Sequence, residues 1–406
     1  MNNLSYQKYI KYKTKYLNLK NKLGGSSPVL NEYYIPSEIN NYTKRLIISN
    51  KDSRNVLEQH LTAILPNIEI VRANLSSNFA QDPFIIFKNN SEPDNTYAIG
   101  KFFGDQSYNM IDITSLFEGY EYTNSLHYGG NFISSPNNIV FTFDNSTFTE
   151  SLRTKMDVVS LECTFKSADS RHIDETMCFM PYGFEEYKVW FYKPDLSDNI
   201  LSLEIFNEVL TFYEKTKLKM ISDGILNQTE HDHKFIKHAK FRQHWYSIEN
   251  KYYQPKYIKS LLLYFSEIDI NLINQQIIDE HQRNLDIISN KLFKCNYSEC
   301  KNNFVLFDLK IKYEFDSRIN NLIFQIDEIP IFNRLLVETE TNRHIIFPIV
   351  SSRMQSIVDR EKPFIKSYLN DQPFTFSNIN TRTFNDEGKS SGSVGGNIHC
   401  LIKNQY

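Results

Sequence analysis

"RHIDETMCFMP" (Arg171–Pro181) runs from charged and polar residues straight into an apolar stretch, Met177–Pro181, that reads as a strand. His172 and Asp174 lie two positions apart, so in extended backbone they point to the same face. A His and a carboxylate projecting together into a cleft make an acid/base and cation-binding pair. A solvated strand edge with a stray His accounts for the same letters. Two other stretches repeat the arrangement of an ionisable residue beside turn formers at the end of an apolar strand. They are "NFAQDPFIIF" (Asn78–Phe87), with Asp82, and "GGNIHCLI" (Gly395–Ile402), with His399 and Cys400.

Taken singly, each has a plain explanation. Asp82 precedes Pro83, where turn formation suffices. A free Cys is most often a small buried hydrophobe. Gly395-Gly396 shift the balance for Cys400, because consecutive glycines let the backbone approach something closely. The apolar-flanked stretch Ile398–Ile402 then reads as a strand that delivers one thiol to a fixed place. Together the three stretches supply a Cys and a His, the nucleophile–base pair of covalent catalysis. They also supply two further carboxylates, which suit a planar cation through bidentate hydrogen bonds.

Outward from these motifs the chain alternates strands and helices. "KRLIISN" and "IEIVRANL" read as strands around an amphipathic helix at Val56–Ile64. "PFIIFKN", "NTYAIGKFF", "NNIVFTFDN", "MDVVSLECTF" and "YKVWFYKP" are further strand candidates, rich in aromatic and β-branched residues. Residues 200–293 turn helical, and strands return in "NFVLFDLKIKYEF" and "HIIFPIV". A strand-rich α/β chain with one helical excursion predicts one catalytic domain, residues 26–406, behind a basic leader, residues 1–25.

The leader "YQKYIKYKTKYLNLKNKL" (Tyr6–Leu23) has helical apolar spacing, six lysines and no acid, and closes on Gly24-Gly25. It suits a membrane surface or a partner, or is a detachable segment with no chemical role. With a net charge of −3 overall, the rest of the chain carries −9. That balance argues against a nucleic-acid surface and suits a cationic substrate. No run approaches the roughly 20 apolar residues of a membrane span, and the N-terminus lacks a secretory signal core. Five scattered cysteines do not make a disulfide framework and predict a reducing compartment, so the protein is not secreted. His231, His233, His238 and His244 cluster with Cys295 and Cys300 downstream, but their spacing matches no usual metal-ligand pattern and predicts a solvated helix.

"RHIDETMCFMP", "GGNIHC" and "FAQDPF" resemble the three catalytic segments of the protein-arginine deiminases and, more broadly, of the guanidino-group-modifying superfamily with its agmatine and arginine deiminases. "HYGGNFISSP" (His127–Pro136) resembles that family's Gly-Asn strand, here Gly130-Asn131. "EHQRNLDIISNKL", "IDEIPIF" and "IIFPIV" follow its order of elements, so that the similarity spans residues 65–406. The resemblance implies a five-bladed α/β propeller (pentein) with helical insertions and an active site on its axis. It implies Cys400 as nucleophile, His172 as general acid and base, and Asp82 and Asp174 as guanidinium-binding carboxylates. Asn131 and Phe79, the latter in place of a pocket-wall Trp, are implied substrate contacts. The implied reaction is peptidyl-arginine to peptidyl-citrulline with release of ammonia. Small-guanidine hydrolysis and amidino transfer are alternatives on the same scaffold, and an inactive virion or interaction protein is an alternative of another class.

Two departures alter the expectation. The calcium-binding acids that flank the family's first catalytic Asp are replaced by Pro83 and Ile85, which offer no carboxylate to a hard cation, so no cofactor is expected. Leu401-Ile402-Lys403-Asn404 replace the family's Gly-Thr-Asn run after the Cys. The leader resembles one that recurs in giant-virus (mimivirus-type) proteins, which implies the cytoplasm of an infected cell or the virion.

Overall fold

Five small sheets, each built on the same three-strand unit, organise the chain in a computed structural model. It describes residues 32–39, 41–50, 54–73, 84–100, 110–119, 129–163, 172–182, 186–197, 201–247, 255–316, 321–326, 331–332, 334–339, 343–348, 352–364, 375–379 and 402–406. The first sheet holds β2 (Arg45–Ser49), β3 (Glu69–Ala73) and the C-terminal β17 (Ile402–Gln405). The second orders β1 (Tyr33–Tyr34), β4 (Phe84–Asn89), β5 (Thr96–Gly100) and β6 (Met110–Asp112). The third is β7 (Phe132–Ser134), β8 (Val140–Thr142) and β9 (Val158–Ser160). The fourth is β10 (Met177–Pro181), β11 (Tyr187–Asp195), β12 (Phe304–Asp316) and β13 (Asn321–Ile326). The fifth is β14 (Leu335–Glu338), β15 (Arg343–Pro348) and β16 (Thr375–Ile379).

In every sheet an antiparallel pair is followed by a parallel one. These are β17/β2 then β2/β3, β4/β5 then β5/β6, β7/β8 then β8/β9, β10/β11 then β11/β12, and β14/β15 then β15/β16. A parallel partner requires a crossover, usually a helix. Helix α1 (Arg54–Ile64) joins β2 to β3, and α2 (Thr147–Arg153) joins β8 to β9. The helical excursion occupies the crossover from β11 to β12. It comprises α3 (Leu203–Ser222), α4 (Asp232–Lys237), α5 (Ala239–Ser247), α6 (Pro255–Phe265), α7 (Ile270–Phe293) and the short α8 (Tyr297–Cys300). Helix α9 (Ser352–Glu361) lies between β15 and β16.

The strands read as near-continuous apolar runs because both of their faces are buried. In β2, Leu46 and Ile48 pack with Leu335, Val337 and Ile346 of the fifth sheet, whereas Ile47 between them packs with Ile86 of the second. In β4, Ile85 and Phe87 join Phe132 and Val140 of the third sheet. In β8, Val140 faces that core while Phe141 joins Phe179, Trp190, Leu336 and Phe347 of the fourth and fifth sheets. Alternation along each strand thus sorts side chains between two neighbouring cores. Each such Leu, Ile or Phe contributes about 1.5–3 kcal/mol by burial.

The helical insertion has a core of its own, in which Val209, Tyr213, Met220, Phe235, Phe241, Trp245 and Leu261 are buried together. Its longest helix, α7, starts where Asp269 accepts hydrogen bonds from the Asn271 and Leu272 amides at 3.0 and 3.1 Å. It ends where Lys294 takes a left-handed conformation, φ 58°. Cys295 and Cys300 form a disulfide just beyond it, so two of the five cysteines are paired, contrary to the expectation from their spacing. The turn between α7 and α8 brings their Cα atoms to 6.3 Å, a proximity that linear spacing does not display. No helix among the described residues is long and apolar enough to cross a membrane.

Candidate functional site

Each three-strand unit begins with a strand that runs antiparallel to its central neighbour, and the segments leading into those first strands carry the chemistry-bearing residues. Asn131 immediately precedes β7, His172 and Asp174 precede β10, Asp82 stands two residues before β4, and Cys400 two before β17. Asp82, Phe79, Cys400 and the glycines Gly395 and Gly396 lie outside the described residues, as do residues 1–31 and His399. His172, Asp174, Gly130 and Asn131 lie within them.

His172 and Asp174 do face each other, but on a turn instead of a strand. Ile173–Glu175 form one turn of 3₁₀ helix, with the Glu175 amide donating to the His172 carbonyl at 3.2 Å and the Thr176 amide to the Ile173 carbonyl at 2.9 Å. The Thr176 hydroxyl also donates to the Ile173 carbonyl, at 2.9 Å. Strand β10 starts only at Met177. The reason is local: a Thr hydroxyl that bonds backgroups three residues behind favours a turn over a ladder. Ile173, fully buried, anchors the turn in the main core. The outcome is the expected pairing by another backbone route. His172 Nδ1 lies 3.9 Å from Asp174 Oδ1, with the side chains 13% and 3% exposed.

A second 3₁₀ turn, Gly129–Asn131, packs against this one. The Gly-Asn stretch is therefore a turn that leads into β7, rather than part of the strand. A Cβ added at Gly130 would lie 2.3 Å from His172 Nδ1 and 2.8 Å from Cγ, so the imidazole rests directly on the glycine backbone. Asn131 is 7% exposed, and its Oδ1 is buried with no hydrogen-bond partner among the described residues. Next to Asp174, burial and then the like charge of Asp174 push the Glu175 carboxyl up to about 8.

The fifth lead-in segment, before β14, carries Arg334, which the sequence motifs do not mark. Its buried guanidinium pairs with Glu38 and donates to the Phe179 carbonyl of β10. It thereby ties the loop between β1 and β2 and the lead-in to β14 to strand β10. Cys178, on β10 beside Arg334, is a free thiol in sequence proximity to the site, but burial pushes it up to about 12. It stays protonated and is no rival nucleophile. Among the described residues no group of His, Cys, Asp and Glu is placed to hold a metal ion. His231 and His238 stand at the two ends of α4, and His244 lies in the last turn of α5.

No protein-family model and no curated protein matches the chain. Among solved structures it is similar to an agmatine deiminase from C. jejuni, with 11% sequence identity and a TM-score of 0.42, over 92% of this chain and 96% of that one.

Proposed function

We propose that the chain is a cysteine-dependent deiminase of the guanidinium group, acting on peptidyl-arginine. The observation that carries the reading is the buried His172–Asp174 turn seated on Gly130, in the segment that leads into β10, as Asp82 and Cys400 precede β4 and β17 in sequence. The five sheets are read as blades of a five-bladed α/β propeller, whose axis gathers the lead-in segments. Three features support that arrangement: the common strand unit, the cores shared between neighbouring sheets, and the packing of the fifth sheet on the first.

The chemistry follows from the residue types. Asp82 and Asp174 hold the planar cation by bidentate hydrogen bonds. Its charge favours the Cys400 thiolate, which attacks the guanidinium carbon. A C–S bond forms, and the tetrahedral adduct expels one nitrogen as His172 protonates it, releasing ammonia. His172 then takes a proton from water, whose oxygen attacks the S-alkylthiouronium carbon. Collapse breaks the C–S bond, returns the thiol and leaves a ureido group.

Peptidyl-arginine is favoured by the motif resemblance. Pro83 and Ile85 beside Asp82 predict activity without calcium. Purified protein incubated with a blocked arginine ester, free arginine or agmatine, with and without chelator, is assayed for ureido product, with Cys400→Ala as control. Product from the blocked ester, insensitive to chelator and absent in the variant, is expected. Product only from agmatine or free arginine would move the substrate, and no product from any of them would overturn the proposal.

A further inference from the structure

Large apolar side chains left in water are not spread evenly over the molecule. Among the described residues Tyr42, Ile111 and Leu116 are exposed outside the helical insertion, whereas Leu203, Ile205, Leu218, Tyr264, Leu272 and Ile278 are exposed on its helices. Leu203 and Leu218, at 75% and 65%, are the most exposed of them. The insertion buries a core of its own without these side chains. Apolar groups gathered in water on one part of a molecule mark an interaction surface.

The same insertion carries a charge that the site does not use. Residues 231–259 hold seven Lys and Arg against Asp232 and Glu249, a net of +5 in a chain that sums to −3. Asp232 is engaged from α3, by the Lys217 ammonium and by the Tyr213 hydroxyl at 2.6 Å, so it does not offset its basic neighbours. Elsewhere surface cations meet acids, as Arg72 meets Glu58, Arg153 meets Glu150 and Lys291 meets Asp157. Lys234 of α4, Lys240 and Arg242 of α5 and Lys256 of α6 are exposed and meet no carboxylate among the described residues. Helix α4 packs against both α5 and α6, which brings these cations to one part of the surface. Helix α3, which carries Leu203 and Leu218, packs against α6 as well, and the Phe206 and Tyr264 rings join the two at 5.2 Å.

We propose that the helical insertion docks on an anionic lipid surface, with its cations on the headgroups and its exposed leucines in the acyl boundary. Either feature alone would leave the partner open. Cations suit any polyanion, and leucines suit any apolar groove. A bilayer containing phosphatidylserine offers an anionic layer directly over hydrocarbon, and so meets both. A nucleic acid gives the leucines nothing to enter. Each Lys or Arg near such a membrane contributes about fivefold in affinity, and each Leu that leaves water about tenfold. The surface lies apart from the His172–Asp174 turn, and the inference does not depend on the deiminase reading.

The test incubates the full chain with vesicles of phosphatidylcholine alone or mixed with phosphatidylserine, and reads the bound fraction by flotation over a salt series. Binding to the mixed vesicles only, weakening as salt rises, is expected. The triple variant Lys234→Gln, Lys240→Gln, Arg242→Gln should bind about a hundredfold more weakly. The double variant Leu203→Gln, Leu218→Gln should lose a similar factor. All of these positions are exposed, so both variants should melt with the parent. Any ureido production from a soluble arginine ester should match the parent's, which separates this test from that of the reaction. A parent that ignores phosphatidylserine overturns the inference without any variant. Parent-like binding by the triple variant would place the attachment elsewhere, as on the lysines of Tyr6–Leu23, and overturn it too. Loss in the triple variant with none in the leucine variant, or binding of an RNA oligonucleotide in place of vesicles, would reassign the surface to another polyanion.

Discussion

Asn284 and Asn131 are both buried asparagines, and they are used in opposite ways. Asn284, in the middle of α7, is saturated: its Oδ1 accepts from the Glu162 amide at 2.8 Å and its Nδ2 donates to the Glu162 carbonyl at 2.7 Å. Around it, His281 Nε2 bonds the Tyr192 carbonyl at 2.6 Å and the Arg283 guanidinium meets the Glu162 carboxylate at 2.6 Å. These contacts fasten the helical insertion to the end of β9 and to β11. Asn131 has a buried oxygen that nothing among the described residues engages. A saturated polar group gives up its partners only with the fold, whereas an unsaturated one costs stability until a ligand arrives. The first pattern marks a joint, and the second suits the proposed site.

The sharpest way to break the contrast is to disturb the site where it is closely packed. Gly130→Ala would place a methyl group 2.3 Å from His172 Nδ1, and the imidazole must turn away. If His172 is the acid and base of the reaction, kcat should fall by about 10²–10⁴-fold, with substrate KM changed far less. Steady-state kinetics on the blocked arginine ester, beside a His172→Ala control, decide it. Wild-type kcat in Gly130→Ala would remove His172 from the mechanism.

Next in size is the joint. Asn284→Ala removes the partner of the Glu162 amide and carbonyl in a part-buried setting and should cost about 1–3 kcal/mol in unfolding free energy. The loss should appear in denaturant midpoints, while binding of a guanidinium by the folded fraction stays unchanged. Loss of binding at full stability would instead make the insertion part of the site.

How much of this was legible in the sequence follows from the kind of interaction involved. The strand runs of β2, β4 and β11 were readable because residues on both faces are buried and apolar. The four-residue β14 was not, whereas the three-residue β8 and β9 lay inside longer aromatic and β-branched runs. The repeated sheet unit is a matter of pairing between distant segments, which local periodicity does not record, and only the family resemblance implies a fivefold arrangement. At the site, residue types and spacing singled out His172 and Asp174, and the turn that joins them replaced the strand that spacing suggested. Gly130 as the seat of an imidazole was hidden, since a glycine's role depends on what presses against it. Arg334 was hidden too, because its partners, Glu38 and Phe179, are remote in sequence. The Cys295–Cys300 pair depended on the turn after α7.

The smallest effect concerns charge on the site turn, and its sign separates the two regions once more. Burial pushes Glu175 from 4.5 up to about 8, so between those values the folded protein holds a proton that the unfolded chain has released. The stabilisation from that proton is fully present below pH 4.5 and is lost as pH rises through 8. His281, at the joint, shifts the other way: burial lowers its pKa from 6.5, so its contribution is lost as pH falls. Glu175→Gln fixes the neutral form and should flatten the alkaline decline while leaving the acid side, where His281 acts, as it was. Unfolding free energies of the two proteins should therefore diverge steadily between pH 4.5 and 8, the variant gaining on the parent. Parallel curves would mean that Glu175 titrates as it does in the unfolded chain. A Glu175 carboxylate charged at neutral pH would then add its own attraction for a cation to the turn.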